Sequence, residues 1–98
     1  MEEQRQFFRV KNNGAIQARL DDELLHVIDI SSTGILIITQ KLDFPNQGII
    51  ELKIIKWVMN LSYELLRMEN NKIVLTFIKE EEINKLFPVL KKLRDERL

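Results

Sequence analysis

The sequence contains no cysteine and only one histidine among its 98 residues. Without cysteine, the chain has no disulfide, no zinc–thiolate site and no thiol nucleophile. A histidine-rich metal site is excluded as well, because one imidazole cannot supply the several ligands that such a site needs. The chemistry of this chain must therefore come from other side chains.

The chain also lacks an excess of charge of one sign and a long apolar run. Fifteen basic residues balance fifteen acidic ones, whereas proteins that bind duplex nucleic acid usually carry a basic excess. No apolar run approaches the roughly 20 residues that span a bilayer. The N-terminus, Met1-Glu2-Glu3, is acidic and differs from a secretory signal. These features predict one soluble cytoplasmic domain with a single small core.

Most of the chain has the pattern of short β-strands separated by turns. After the turn signal Asn12-Asn13-Gly14, the apolar residues of 16–20 alternate with polar ones, as in a half-buried strand. Asp21-Asp22-Glu23 and Glu69-Asn70-Asn71 are typical hairpin connections. Met59-Asn60-Leu61 is predicted to link the fourth and fifth strands. The six predicted strands lie within 16–20, 24–31, 35–39, 49–58, 62–68 and 72–78.

The last 20 residues change from the period of a strand to that of a helix. Their apolar positions follow helical spacing, and Glu80–Glu82 at the start complement the helix dipole. Pro88 is predicted to kink this helix. Six strands followed by one helix, 80–97, predict a mostly β fold: a small antiparallel β-barrel over 10–78, closed by the helix. The apolar stripe comprises Ile83, Leu86, Phe87, Leu90 and Leu93.

A six-residue turn, Asp29-Ile30-Ser31-Ser32-Thr33-Gly34, joins two of the predicted strands. Strand alternation predicts that Ile28 and Ile30 enter the core and that Asp29 and Ser31 face outward. Two interpretations of the turn are open. Its polar residues can bind a ligand, or they can bond only to their own backbone, as Asp and Ser commonly do in turns.

A second motif, Arg5-Gln6-Phe7-Phe8-Arg9, precedes the first strand. Arg-x-x-x-Arg before a strand, with Asp-x-Ser-x-x-Gly between the next two strands, resembles the PilZ domain family from Gln4 to the C-terminal helix. That family binds the bacterial messenger cyclic di-GMP through these two motifs. The resemblance implies the same six-stranded barrel and a ligand site formed by five residues: Arg5, Arg9, Asp29, Ser31 and Gly34.

The residue types of this implied site suit a guanine dinucleotide. A guanidinium donates a planar pair of hydrogen bonds that matches a phosphate or the O6/N7 edge of guanine. The carboxylate of Asp29 can accept from guanine N1–H and N2–H, Ser31 can add a hydroxyl bond, and Gly34 permits close approach. Binding is predicted to order an N-terminal arm, 1–9, and so to change the surface offered to a downstream protein.

Two positions differ from the family pattern. Many members carry an additional arginine where this chain has Gln4, and many have Gly-Val-x-Phe where this chain has Val74-Leu75-Thr76-Phe77. Because Gln4 is uncharged, we expect one cyclic di-GMP per chain rather than a stacked pair carrying four phosphates. The second difference concerns packing.

Alternative functions remain open at this point. The same barrel could act only through protein–protein contacts, without nucleotide. A small barrel could also bind single-stranded nucleic acid, although neutral charge and few aromatic residues argue against it. No nucleophile–base pair is visible, so no enzyme is predicted, and His26 is expected to be a structural or strand-edge residue rather than a catalyst. Val89 and Leu98 extend the apolar surface of the helix, which leaves a homodimer open.

Overall fold

The computed structural model describes residues 9–40 and 43–96. The predictions for Gln4 and Arg5 in the arm, and for Leu98, fall outside these residues. The elements in chain order are β1 (Val10–Lys11), β2 (Ile16–Leu20), β3 (Glu23–Ser31), β4 (Gly34–Ile38), β5 (Gln47–Ile54), β6 (Trp57–Glu69), β7 (Lys72–Phe77) and α1 (Glu80–Glu96).

Six of the strands form a closed antiparallel barrel. The order around it is β3-β2-β5-β6-β7-β4, and β4 pairs back with β3. The short strand β1 pairs with 29–30 of β3, on the same edge that β2 occupies further along at 23–25. The predicted six-stranded barrel is confirmed, with β1 as one additional strand.

The gap between β1 and β2 on that shared edge is filled by the side chain of Asn12. Its amide nitrogen donates to the carbonyl oxygens of Ile16 at 2.9 Å and Val27 at 3.0 Å. Its Oδ1 accepts from the backbone N–H groups of Gly14 at 2.9 Å and Ile16 at 3.1 Å. The carboxamide thus takes the place of a peptide group in the ladder, because it offers the same donor and acceptor.

Strand alternation places one face of each strand in the core. Tyr63 is fully buried, and its hydroxyl donates to the Pro45 carbonyl at 3.3 Å, so Tyr63 is a packing residue of the core. Trp57 is half-buried, and the ammonium groups of Lys56 and Lys92 lie 5.4 and 5.8 Å from its ring centroid. Apolar side chains from all seven strands and the helix contribute to one continuous core.

The helix packs its apolar stripe on the barrel, as predicted. Four of the five predicted stripe residues are buried, and Phe87 is half-buried. Glu82 Oε1 accepts from the backbone N–H of Ser62 at 2.7 Å, which ties the first turn of α1 to β6. The helix continues through Pro88. Within the described part of the chain, no helix is long and apolar enough to cross a membrane. The buried stripe residues are Ile83, Leu86, Leu90 and Leu93.

The predicted link at Met59-Asn60-Leu61 is wrong. Those residues lie inside β6, and the chain turns earlier, at Ile55-Lys56. Ile55 has φ of 57°, a conformation that β-branched residues rarely adopt. The turn therefore carries none of the usual turn residues, and an unbroken apolar run conceals it.

Candidate functional site

A β-bulge in β3 brings Asp29 to the outer surface of the barrel. Val27 pairs with Ile37 of β4, but Asp29 pairs with the next residue back, Leu36, so that Ile28 is the extra residue. The bulge reverses the alternation: Val27 and Ile30 are buried, whereas Ile28 and Asp29 are half-buried. The prediction that Ile28 enters the core is wrong for this reason, and Asp29 faces outward as expected.

The two sequence motifs meet at Asp29. Arg9 Nη1 lies 2.8 Å from Asp29 Oδ1, and the side chains are 64% and 16% exposed, respectively. Arg9 directly precedes β1, and β1 pairs with residues 29–30 of β3. This strand pairing places Arg9 next to the carboxylate of Asp29. Among the residues that the structure describes, this is the contact that joins the arginine motif to the turn motif.

Ser31 is not exposed, contrary to expectation. It is 5% exposed. Its hydroxyl shares a hydrogen bond with the Thr33 hydroxyl at 3.2 Å and accepts from the Thr33 N–H at 3.3 Å. The turn is therefore held together by its own side chains, as the second interpretation anticipated. Ser32 Oγ is buried, and no described residue bonds to it.

Gly34 is required by the barrel itself. Its φ lies outside the left-handed region, so no turn conformation demands glycine here. A Cβ at this position would instead lie 2.7 Å from the carbonyl oxygen of Leu75 in the neighbouring strand β7. The space beside Gly34 is occupied by backbone, which cannot move aside as the end of a side chain can.

Gly34→Ala should therefore destabilise the fold by about 1–3 kcal/mol through overpacking. Denaturant unfolding measures this change. Gly48→Ala is the matched comparison, because its Cβ would meet the Tyr63 side chain at 3.1 Å rather than backbone, and a smaller loss is expected. Equal stability of Gly34→Ala and the unmodified protein would contradict the steric explanation. Because the substitution perturbs the fold, reduced ligand binding by Gly34→Ala would not by itself show that Gly34 contacts the ligand.

A groove of about 390 Å³ extends from Asp29 across the outer surface of the barrel. Strand register places five residues in one row across β1, β3, β4, β7 and β6. Two half-buried apolar side chains, Leu36 and Val74, form the floor of the groove. Arg67 lines its far side. The row runs Lys11, Asp29, Leu36, Val74 and Arg67.

Sequence reasoning missed Arg67 and Lys72, which both line the groove. Nothing in their local sequence distinguishes them from other exposed cations. Their relation to Asp29 depends on how β4 and β7 pair, and that register becomes visible only in the folded barrel.

A larger cavity, of about 680 Å³, is lined by residues 24–28 of β3 and by the turn at Asn12–Gly14. His26 lines it and is exposed. In the described ranges, no group of three or more His, Cys, Asp or Glu side chains is placed to hold a metal ion.

Comparisons with known proteins agree with this fold. A family model described as PilZ domain-like matches residues 9–98. The crystal structure of the uncharacterized Legionella protein Lpg0364 superimposes with a TM-score of 0.89 at 50% identity; the match covers 93% of this chain and 98% of that one. Escherichia coli YcgR, crystallised in complex with c-di-GMP, has a TM-score of 0.70 at 18% identity. That match covers 97% of this chain and 48% of YcgR, so this chain spans about half of its length. No curated protein matches the sequence significantly.

Proposed function

The chain belongs to the PilZ-like domain family, and we propose that it is a cytoplasmic cyclic di-GMP-binding module without catalytic activity. The observation that carries the proposal is the contact between Arg9 and Asp29 at 2.8 Å. It brings a guanidinium and a carboxylate from the two motifs to one end of a surface groove. Together these groups offer donors for a phosphate and an acceptor for guanine.

The ion pair does not prevent a ligand from using both groups. The Arg9 side chain is 64% exposed, and exposed ion pairs contribute only about 0–1 kcal/mol. The guanidinium can therefore turn to a phosphate at little cost. Asp29 Oδ1 then becomes available to guanine N1–H or N2–H.

The other three proposed ligand residues act in different ways. Arg5 belongs to the arm and supplies a second cation. Ser31 contacts the ligand by exchanging its hydrogen bonds to Thr33, which at 3.2 and 3.3 Å are long for a hydroxyl. Gly34 holds the turn against β7 and keeps Asp29 and Ser31 in place.

Binding is further proposed to order the N-terminal arm and to create a surface for a downstream protein. Arg9 is the point where this coupling begins, since it connects the arm to β1. When Arg9 moves towards a phosphate of the ligand, the arm that precedes Arg9 in the chain moves with it. The output of the module is then a change of surface rather than a reaction.

A barrel that binds only proteins is the alternative function. The observation in its favour is that Ser31 and Gly34 both have structural explanations: local hydrogen bonds for Ser31 and close packing against Leu75 for Gly34. These two motif residues would persist in a barrel that had no ligand. Titration with cyclic di-GMP decides between the two functions.

Calorimetric titration should show one cyclic di-GMP per chain, and Arg9→Ala and Asp29→Ala should each weaken binding at least tenfold. Losing one charge-assisted hydrogen bond costs about 1.5–3 kcal/mol, which corresponds to roughly ten- to a hundredfold in affinity. Both variants should keep the unfolding midpoint of the unmodified protein within a few degrees, because Arg9 is exposed and ion pairs at the surface contribute little to stability.

The matched control is another cross-strand pair, Arg19 and Glu51, whose charged atoms are 4.0 Å apart and which lies outside the groove. Arg19→Ala and Glu51→Ala should leave the affinity unchanged. Unaltered affinity in both Arg9→Ala and Asp29→Ala would refute the proposed site. Absence of binding by the unmodified protein would support the protein-only alternative.

A further inference from the structure

A second β-bulge faces the first one across the groove. In β6, Leu65 pairs with Leu75 of β7, and Arg67 pairs with the preceding β7 residue, Val74, so that Leu66 is the extra residue. Regular pairing would have placed Leu66 opposite Val74 and turned Arg67 inward. The bulge thus places Arg67 in the same row as Asp29, as the bulge at Ile28 does for Asp29 itself.

The far side of the groove therefore combines a cation with exposed apolar surface. Arg67 and Leu66 are exposed, and Leu66 remains 66% accessible. No ion pair of Arg67 with another described residue is present. The charged residues lining the groove are Arg9, Asp29, Arg67, Glu69 and Lys72, so the cations exceed the anions by one.

The floor between the two sides fits a flat base better than a phosphate. Leu36 and Val74 separate Asp29 from Arg67, and three steps between strands correspond to about 14 Å. A phosphate on this floor would lose water and gain no hydrogen bonds from it. A purine can lay its apolar face on the two side chains and keep its polar edges directed at the groove sides.

We infer that the groove receives one guanine of the ligand and that Arg67 reads its acceptor edge. The guanine face lies on Leu36 and Val74, its N1–H and N2–H donors face Asp29, and its O6 and N7 acceptors face the guanidinium of Arg67. This assignment rests on the proposed function and adds a specificity-determining residue outside both sequence motifs. Adenine would present an amino donor where guanine presents O6, so Arg67 selects guanine.

The test is calorimetric titration of the unmodified protein, Arg67→Ala and Arg67→Gln with cyclic di-GMP and with cyclic di-AMP, which contains no guanine. Arg67→Ala should weaken cyclic di-GMP binding by about tenfold or more. It should also reduce the preference for cyclic di-GMP over cyclic di-AMP, measured in the same way. Arg67→Gln retains one amide donor and should recover part of the loss. Arg19→Ala is the control for removing an exposed strand arginine, and thermal unfolding verifies that each variant is folded.

The outcomes separate this assignment from the proposed function. If the unmodified protein binds cyclic di-GMP and Arg67→Ala binds it equally well, the role of Arg67 is overturned while the function stands. If Arg67→Ala weakens all cyclic dinucleotides by the same factor and lowers the salt dependence of binding, Arg67 contacts phosphate and the base-reading role is overturned. If the unmodified protein binds no cyclic dinucleotide, both are overturned.

Discussion

Replacing Asn12 with alanine is expected to lower the free energy of unfolding by about 2–4 kcal/mol. The Asn12 carboxamide makes four hydrogen bonds, to the backbone of Gly14, Ile16 and Val27. Alanine would leave these backbone groups without their partner at a place where β2 does not pair with β3. Urea unfolding followed by circular dichroism measures the loss.

Two further substitutions test whether hydrogen bonding is the cause. Asn12→Asp retains the shape and can still accept from Gly14 and Ile16, but an ionised carboxylate has no hydrogen to donate to the carbonyls of Ile16 and Val27. It should therefore be at least as destabilising as the alanine substitution. Asn13→Ala removes an exposed neighbour and should change stability by less than about 0.5 kcal/mol. Equal stability of Asn12→Ala and Asn13→Ala would disprove the role of the carboxamide.

The strands and the helix were predictable because their patterns depend on local sequence, whereas the closure of the six strands into a barrel was expected from the family resemblance. Alternating residues such as Ile16, Ala18 and Leu20 identify a half-buried strand, and a change to helical spacing after Lys79 identifies α1. The hairpins at Asp21-Asp22 and Asn70-Asn71 were also visible. Asp21, Asp22 and Asn70 have positive φ, and Asp and Asn tolerate that conformation better than most residues.

The missed features depend on contacts between segments that are distant in sequence. Ile55 turns the chain although it is a poor turn residue, because the pairing of β5 with β6 holds it there. The bulges at Ile28 and Leu66 have no local sequence signal either. Each shifts the alternation by one residue, and the burial of Ile28 was mispredicted for that reason.

Only part of the candidate site was predicted, because the rest of it also depends on contacts between distant segments. The motifs identified Arg9 and Asp29, which the folded chain places in contact. They did not reveal that Ser31 is buried, since burial depends on the surroundings of the turn rather than on its sequence. They could not indicate Arg67, whose place in the row with Asp29 depends on two strand pairings and a bulge.

Removing residues 80–98, which include the whole of α1, is expected to abolish cooperative folding. Burying one large apolar side chain contributes about 1.5–3 kcal/mol, so the four buried stripe residues of α1 contribute about 6–12 kcal/mol. That amount is similar to the total stability of a typical domain, about 5–15 kcal/mol. The truncated chain would also lose the carboxylate of Glu82, which accepts from the Ser62 N–H.

A matched pair of substitutions in the full chain tests the same argument without truncation. Leu90 is fully buried and Lys91 is exposed, so Leu90→Asp should unfold the protein or lower its melting temperature sharply, whereas Lys91→Asp should have little effect. Leu90→Asp fails because a carboxylate without a partner is costly to bury in the core. Circular dichroism and thermal unfolding measure both variants and residues 1–79. A cooperative transition of residues 1–79 near that of the full chain would mean that the barrel closes its own core and that α1 is dispensable.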